Sequence, residues 1–284
     1  MFDRQNFQIN AEFPACFSNF TDEASETYSF ERLFKPHWAG PRLFIGGVVL
    51  CLFLTPFLTN GLQAKTSTWT GNGDGQSWAD PDNWTNGVPN DDTDQANFFA
   101  PATANGTIDL GPSVFGNRVQ LNQLRFHLSD DLTLTNSIPG GTLELHGEDS
   151  GVANSLLANS PTDGGITHTL TIENDIETFN GVNWINASPW GDRIVITGDI
   201  TSGNTSGLTI LRLTGRNVGV PGAAIEIHGN ISDGDGDRVR VDTGWAGDGA
   251  RHQNVVRLTG DNTFTGGINV FTNTLEFDSV GDTG

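Results

Sequence analysis

The chain has 284 residues and is strongly acidic, with 34 Asp and Glu against 14 Lys and Arg and a formal net charge of −20. This length allows one or two domains, and this charge argues against a nucleic-acid backbone or an anionic membrane surface as the partner. Its 36 glycines, together with frequent Thr, Asn and Asp, are typical of strands and turns and not of helices.

The first predicted element is an export signal. A continuous apolar run occupies residues 43–58, with basic residues before it and small residues at its exit, which is the order found in secretory signal peptides. We therefore predict a signal peptide with an extended N-terminal region over residues 1–64, cleaved after Ala64 or Gly61. The protein would then be exported and would have no stable membrane insertion after cleavage. The alternative is an uncleaved membrane anchor, although the run is short for a membrane span and contains Pro56.

Residues 65–106 are predicted to form a Trp-rich cap. Trp69, Trp78 and Trp84 lie among Gly, Asn, Asp and Pro residues that favour turns. Because an indole carries a large apolar area and this segment has little else to bury, the three rings can form the core of a cap over the first coil of the next domain. Exposed indoles would instead stack on sugar rings, so the same three residues are the candidate glycan-binding side chains.

From residue 107 onward the pattern predicts strands. Runs such as "HTLTIENDI" (168–176) and "DRIVITGDI" (192–200) alternate apolar and polar residues and are bounded by turn residues. A period of two is the pattern of a strand with one buried face, and no stretch of ten or more residues after residue 65 shows a convincing helical period. The sequence therefore predicts an all-β fold.

The runs also echo one another, which favours stacked coils. "ITGDIT" at 196–201 resembles "IHGNIS" at 227–232 and "IENDIE" at 172–177. Units of a few tens of residues built only of short strands indicate a β-solenoid, and unequal spacing is tolerated because the turns accept insertions. A β-sandwich or jelly roll is the alternative architecture.

One segment resembles a known repeat. "VRLTGDNTFTGGINVFTNTLEF", residues 256–277, is similar to the autotransporter-associated β-strand repeat, also called the passenger-associated transport repeat. The positions that carry the resemblance include Leu258, Gly260, Asn262, Phe264, Gly266, Gly267 and Leu275. Asn273 stands where the family has Gly, and Asn tolerates the left-handed conformation that such a turn needs. The resemblance covers about residues 225–277.

The resemblance implies a right-handed parallel β-helix in a secreted or surface-displayed bacterial protein, where the repeat forms a passenger or stalk. We therefore predict a β-solenoid over residues 107–284. Because one repeat unit cannot bury its own apolar face, we expect further coils beyond Gly284.

A short acidic turn is the candidate metal site. "SDGDGDRV" places Asp233, Asp235 and Asp237 at alternate positions, and oxygen ligands at that spacing suit Ca²⁺, which is the candidate cofactor. The segment does not match an EF-hand loop, because Arg238 and Gly244 stand where that loop needs Gly and an acid. A solvated turn is the alternative.

A second acidic set lies on one predicted strand. Glu173, Asp175 and Glu177 would share its outer face, where close carboxylates can act as general acid and base or bind Ca²⁺. An exposed strand face is the favoured interpretation, since no basic residue is visibly paired with them. No catalytic residue is therefore assigned.

We expect a non-catalytic secreted or cell-surface β-helix module, structural or adhesive, whose partners are extracellular glycans or matrix. Weak contacts repeated along a rigid face would add up to useful binding. The alternatives are a polysaccharide-degrading β-helix enzyme, a lyase or glycosidase, and a carbohydrate-binding module that uses the N-terminal Trp residues.

Overall fold

The computed structural model describes residues 64–99, 106–111, 116–127, 129–138, 140–147, 156–158, 168–187, 192–215, 223–244 and 255–278. The predicted signal peptide, apart from Ala64, lies outside these residues. The described ranges contain nineteen strands and one 3₁₀ turn at Pro81–Asn83. No helix within them is long and apolar enough to cross a membrane.

The strands are short and follow one another closely. In chain order they are β1 (Thr66–Thr68), β2 (Asp91–Phe99), β3 (Thr107–Asp109), β4 (Arg118–His127), β5 (Leu132–Thr135), β6 (Thr142–His146), β7 (Leu156–Ala158), β8 (Thr169–Ile172), β9 (Asp175–Phe179), β10 (Val182–Ala187), β11 (Arg193–Ile196), β12 (Ile200–Ser202), β13 (Gly207–Gly215), β14 (Ala223–Ile227), β15 (Ile231–Ser232), β16 (Asp237–Thr243), β17 (Val255–Leu258), β18 (Ile268–Val270) and β19 (Thr274–Phe277).

These strands stack in three columns, and all of their pairings are parallel. Column 1 contains the first part of β4 and then β6, β9, β12 and β15. Column 2 contains β1, β2, the second part of β4, and β7, β10, β13, β16 and β18. Column 3 contains β3, β5, β8, β11, β14, β17 and β19.

Each turn of the chain supplies strands to the three columns in succession, so the fold is a parallel β-solenoid of about five turns. This confirms the predicted all-β solenoid. It excludes the sandwich and jelly roll for the described residues, because those architectures are built from antiparallel strands.

Aligned apolar side chains form the core. In column 3 one inward position is occupied in successive turns by residues that are all 0 % exposed, namely Ile108, Leu134, Ile172, Ile196, Ile227 and Leu258. Each such side chain contributes about 1.5–3 kcal/mol relative to an exposed one. The period-two alternation in the sequence therefore marks the inward face correctly.

The echoed hexapeptides form the corner between columns 3 and 1. At this corner a side-chain oxygen in each turn accepts a hydrogen bond from a backbone N–H in the next turn. Asp175 Oδ1 accepts from the Asp199 N–H at 3.0 Å, Asp199 Oδ1 from Asn230 at 2.8 Å, and Asn230 Oδ1 from Asp261 at 2.7 Å. We call this column the Asx ladder.

A glycine precedes the ladder residue in three of these turns, because the backbones approach too closely for a side chain. A Cβ on Gly198 would lie 2.1 Å from the carbonyl oxygen of Asn174, one on Gly229 would lie 1.9 Å from that of Gly198, and one on Gly260 would lie 2.2 Å from that of Gly229. The repeated Gly-Asx pair is thus the sequence signature of this corner.

The other residues of the repeat-like segment hold the last described turns together. A Cβ on Gly266 would lie 2.3 Å from the Val239 carbonyl oxygen, and Gly267 has a φ of +88°. Asn262 Oδ1 accepts from the Ile231 N–H at 2.9 Å. Phe264 and Leu275 are partly buried against the core, as an apolar corner requires.

Asn273 corrects one expectation. The described non-glycine residues with positive φ are Asn117 and Asn180, so Asn273 is not left-handed. Its Nδ2 instead donates to the Leu213 carbonyl oxygen at 3.3 Å, and this bond to a turn further up the solenoid holds the side chain in the interior.

An aromatic cluster lies at the N-terminal end of the solenoid. Trp78 contacts Trp84 with ring centroids 4.7 Å apart, Trp69 contacts Trp84 at 5.1 Å, and Phe98 stacks on Phe126 at 4.8 Å. In the same segment β1 pairs with β2, and Ser77 forms a parallel bridge to β3. The edges of the first turn in columns 2 and 3 are therefore paired.

Candidate functional site

The structure does not provide the glycan-stacking platform expected on the N-terminal Trp residues. Trp69, Trp78 and Trp84 are only 2 %, 0 % and 5 % exposed. Two of the indole N–H groups are also engaged internally, since Trp78 Nε1 donates to Pro89 O at 3.1 Å and Trp84 Nε1 donates to Trp78 O at 2.8 Å. Buried rings cannot stack on a sugar, so this prediction is wrong and the three residues belong to the core.

The predicted calcium ligands do not converge. Asp233 accepts from the N–H and hydroxyl of Thr265 in the next turn, with Oδ2–Oγ1 at 2.6 Å. Asp235 is exposed, whereas Asp237 is 2 % exposed and lies inside the solenoid. These residues lie in a turn that enters β16, and this turn directs Asp235 to solvent and Asp237 into the interior. The described residues contain no group of three or more His, Cys, Asp or Glu side chains that could hold a metal ion.

Asp237 is instead the centre of a buried hydrogen-bond network. Its Oδ2 accepts from the hydroxyls of Ser202 at 2.7 Å and Thr209 at 2.5 Å. Burial opposes ionisation, but the hydrogen bonds from Thr209 and Ser202 outweigh it and hold the pKa of Asp237 below its ordinary value. The ionised carboxylate thus joins two successive turns at the point where β13 and β16 begin.

We expect Asp237→Asn to destabilise the fold by about 1–2 kcal/mol at pH 7, because charge-assisted hydrogen bonds are weakened. Since the folded pKa is depressed, this stabilisation is present above the ordinary Asp pKa of about 4 and is lost as the pH falls through the folded value. Urea unfolding at neutral and acidic pH measures the difference. Asp235→Asn is the matched exposed control and should change stability by less than about 0.5 kcal/mol.

The acidic set Glu173, Asp175 and Glu177 is not a single cluster either, because Glu173 lies between β8 and β9 and only the other two belong to β9. Glu173 is exposed and its Oε2 accepts from Thr135 Oγ1 at 2.6 Å, while Asp175 belongs to the Asx ladder. Glu177 stacks on Glu144 of β6, which sequence reasoning missed. The available signal was the alternation in "LELH", because aligning Leu143 with Ile176 places Glu144 beside Glu177.

Glu144 is a buried carboxylate on the outward side of column 1. It is 1 % exposed, and its oxygens accept from Arg118 Nη1 at 2.5 Å and Gln120 Nε2 at 2.6 Å. The same Arg118 nitrogen lies 3.9 Å from Glu177 Oε2. One guanidinium therefore lies within ion-pair distance of two stacked carboxylates and connects adjacent turns.

A second charged ladder runs along the outside of column 3. Glu226 pairs with Arg193 in the preceding turn. Arg257 lies in the turn after Glu226, and its Nη2 is 2.7 Å from Oε2 of Glu276, which lies one turn further on. The hydrogen bond and the charge of Glu276 raise the pKa of Arg257. An open depression beside this ladder is lined by His228, Arg257, Thr259, Glu276, Phe277 and Asp278.

Three neighbouring strands of column 2 carry more basic than acidic residues on their outward side. These strands, β10, β13 and β16, carry Trp184, Arg212, Arg238, Arg240 and Asp242. We call these five residues the basic face. Because they lie on three adjacent parallel strands with Trp184, Arg212 and Asp242 in direct register, the solenoid brings together residues that are far apart in the sequence.

Comparison of the chain with protein-family models, with curated proteins and with solved structures found no match. The resemblance of residues 225–277 to the autotransporter-associated repeat therefore stays a prediction from the residues that carry it.

Proposed function

We propose that the chain is a non-catalytic structural and adhesive β-solenoid module that acts outside the cell or on its surface. The observation that carries this proposal is the use of the outward charged side chains. On columns 1 and 3 they form ion pairs between successive turns, as Arg118 does with Glu144 and Glu177, and as Arg257 does with Glu226 and Glu276.

This arrangement suits a rigid support. Charges that pair from turn to turn fix the spacing of the coils, and the Asx ladder and buried core do the same at the corner and in the interior. A catalytic site would instead direct titratable side chains into a shared cleft. Export is supported by the apolar run at residues 43–58 and its basic flank.

The stacked pair Glu144 and Glu177 is the one feature that favours the alternative of a polysaccharide-degrading enzyme. Two carboxylates in register on adjacent strands can serve as acid and base. However, both oxygens of Glu144 already accept hydrogen bonds from Arg118 and Gln120, which suits a structural role.

We expect the full-length chain to release no reducing ends and no unsaturated uronates from pectin, alginate, xylan or chitin. Reducing-sugar and ultraviolet absorbance assays measure both classes of product. Cleavage that Glu177→Gln abolishes, in a variant with an unchanged thermal melt, would overturn the non-catalytic proposal.

A further inference from the structure

The basic face stands out because the rest of the chain is acidic. It carries three arginines and one aspartate on three adjacent strands, whereas the whole chain has a formal net charge of −20. The aspartate, Asp242, is 0 % exposed, and Arg238 is exposed to solvent. The charge presented to solvent by this face is therefore positive.

The arginines of this face already hold one carboxylate. Arg240 contacts Asp242 through two nitrogens, Nε at 2.8 Å and Nη2 at 3.0 Å, and Arg212 Nη2 lies 3.2 Å from the same side chain. A two-nitrogen contact of this kind is the geometry in which a guanidinium recognises a carboxylate. The local backbone thus presents arginines in an arrangement that binds planar anions.

Donor capacity is left over after Asp242 is satisfied. Arg238 is exposed and forms no ion pair within the part of the chain that the structure describes, and it lies beside Leu208 on the adjacent strand β13. A second carboxylate can therefore be bound at this face without breaking an existing pair.

Trp184 adds an apolar surface to the charged one. It is partly exposed, and the guanidinium carbon of Arg212 lies 4.7 Å from its ring centroid. Cation–π contact stabilises that guanidinium over the indole, and an aromatic face beside polar donors is the usual composition of a ligand site.

We propose that the basic face binds a carboxylate-bearing polysaccharide, which deepens the proposed adhesive function and rests on it. The arginines would pair with uronate carboxylates, while Trp184 would pack against the C–H side of a sugar ring. A nucleic acid fits less well, because duplex DNA carries one charge per about 1.7 Å, and the surrounding acidic surface repels a polymer of that charge density.

Binding of oligogalacturonate to the immobilised full-length chain, measured by biolayer interferometry, tests the proposal. We expect Arg238→Gln to weaken binding about three- to tenfold, as one charged hydrogen-bonding contact is lost. Arg257→Gln is the matched control, since it removes the same charge from column 3, and it should change the affinity less than about twofold. Salt at about 1 M should abolish most binding, because the screening length falls to about 3 Å.

Four results would overturn this assignment. They are no binding above that of neutral dextran, equal weakening by Arg238→Gln and Arg257→Gln, no effect of Arg238→Gln, and tighter binding of duplex DNA than of oligogalacturonate. The same samples are examined for shortened oligosaccharides. Shortening would refute the non-catalytic function itself, whereas absence of binding without shortening refutes only the assignment to the basic face.

Discussion

Replacing Gly229 by alanine is expected to destabilise the solenoid by about 3 kcal/mol, at the upper end of the usual cost of overpacking. The added Cβ would lie 1.9 Å from the carbonyl oxygen of Gly198, 2.4 Å from its carbonyl carbon and 2.9 Å from the nitrogen of Asp199. All three atoms belong to the backbone of the preceding turn, so no side-chain rotation can relieve the clash. The two turns must separate at the corner.

Separation would also affect the Asx ladder. The N–H of Asn230, which follows Gly229, donates to Asp199 Oδ1 at 2.8 Å, and Asn230 Oδ1 accepts from Asp261. Displacing this corner therefore weakens hydrogen bonds to the turns on both sides. The effect of one methyl group should extend over three successive turns.

Urea unfolding followed by far-ultraviolet circular dichroism measures the loss. Gly87→Ala is the control, because nothing lies within 4 Å of the Cβ position there and only its φ of +76° opposes a side chain. That strain costs about 1 kcal/mol. If Gly229→Ala is no more destabilising than Gly87→Ala, the close approach of the two turns is wrong.

The core of the solenoid could be predicted because it is encoded locally. Alternation within each run identifies the inward residues, such as Leu170 and Ile172 of β8, without reference to any other strand. The echoed hexapeptides likewise repeat because each turn solves the same corner with Gly and Asx. Both signals lie within a few consecutive residues, and the structure confirms the strands and the stacking that they predict.

The candidate sites could not be predicted in the same way, because they depend on which runs stack. Glu144 and Glu177 are 33 positions apart by residue number, and only the register of β6 against β9 places them together. The basic face likewise depends on the register of β10, β13 and β16. Loops of unequal length between the strands hide these registers in the sequence.

The sequence could not decide whether the three N-terminal Trp residues are buried, and the reason here is different. The same indoles in a turn-rich segment can pack on one another or stack on a sugar, and composition is identical in both cases. The deciding feature is Phe98 of β2, whose ring lies within 5.8 Å of Trp69, Trp78 and Trp84. This contact depends on the pairing of β2 with β4, which no local pattern specifies.

Replacing Trp78 by alanine is expected to cost about 3–5 kcal/mol, the range for deleting a buried aromatic side chain. Trp78 is 0 % exposed and contacts both Trp84 and Phe98. The substitution also removes the donor to the Pro89 carbonyl oxygen. Because turns in a solenoid contact only their neighbours, the loss should be concentrated at the N-terminal end.

Native-state hydrogen exchange distinguishes local from global opening. In Trp78→Ala the amides of Thr70 and Asp109, which bond to Asn83 and Gln76, should exchange faster, while the amides of β14 keep most of their protection. Trp184→Ala is the matched control, since the same atoms are removed from a partly exposed site, and it should cost about 1 kcal/mol or less. Equal losses in the two variants would mean that the aromatic cluster does not stabilise the first turn. A larger loss confined to residues 64–99 and 106–111 would instead establish that the cluster closes this end of the solenoid.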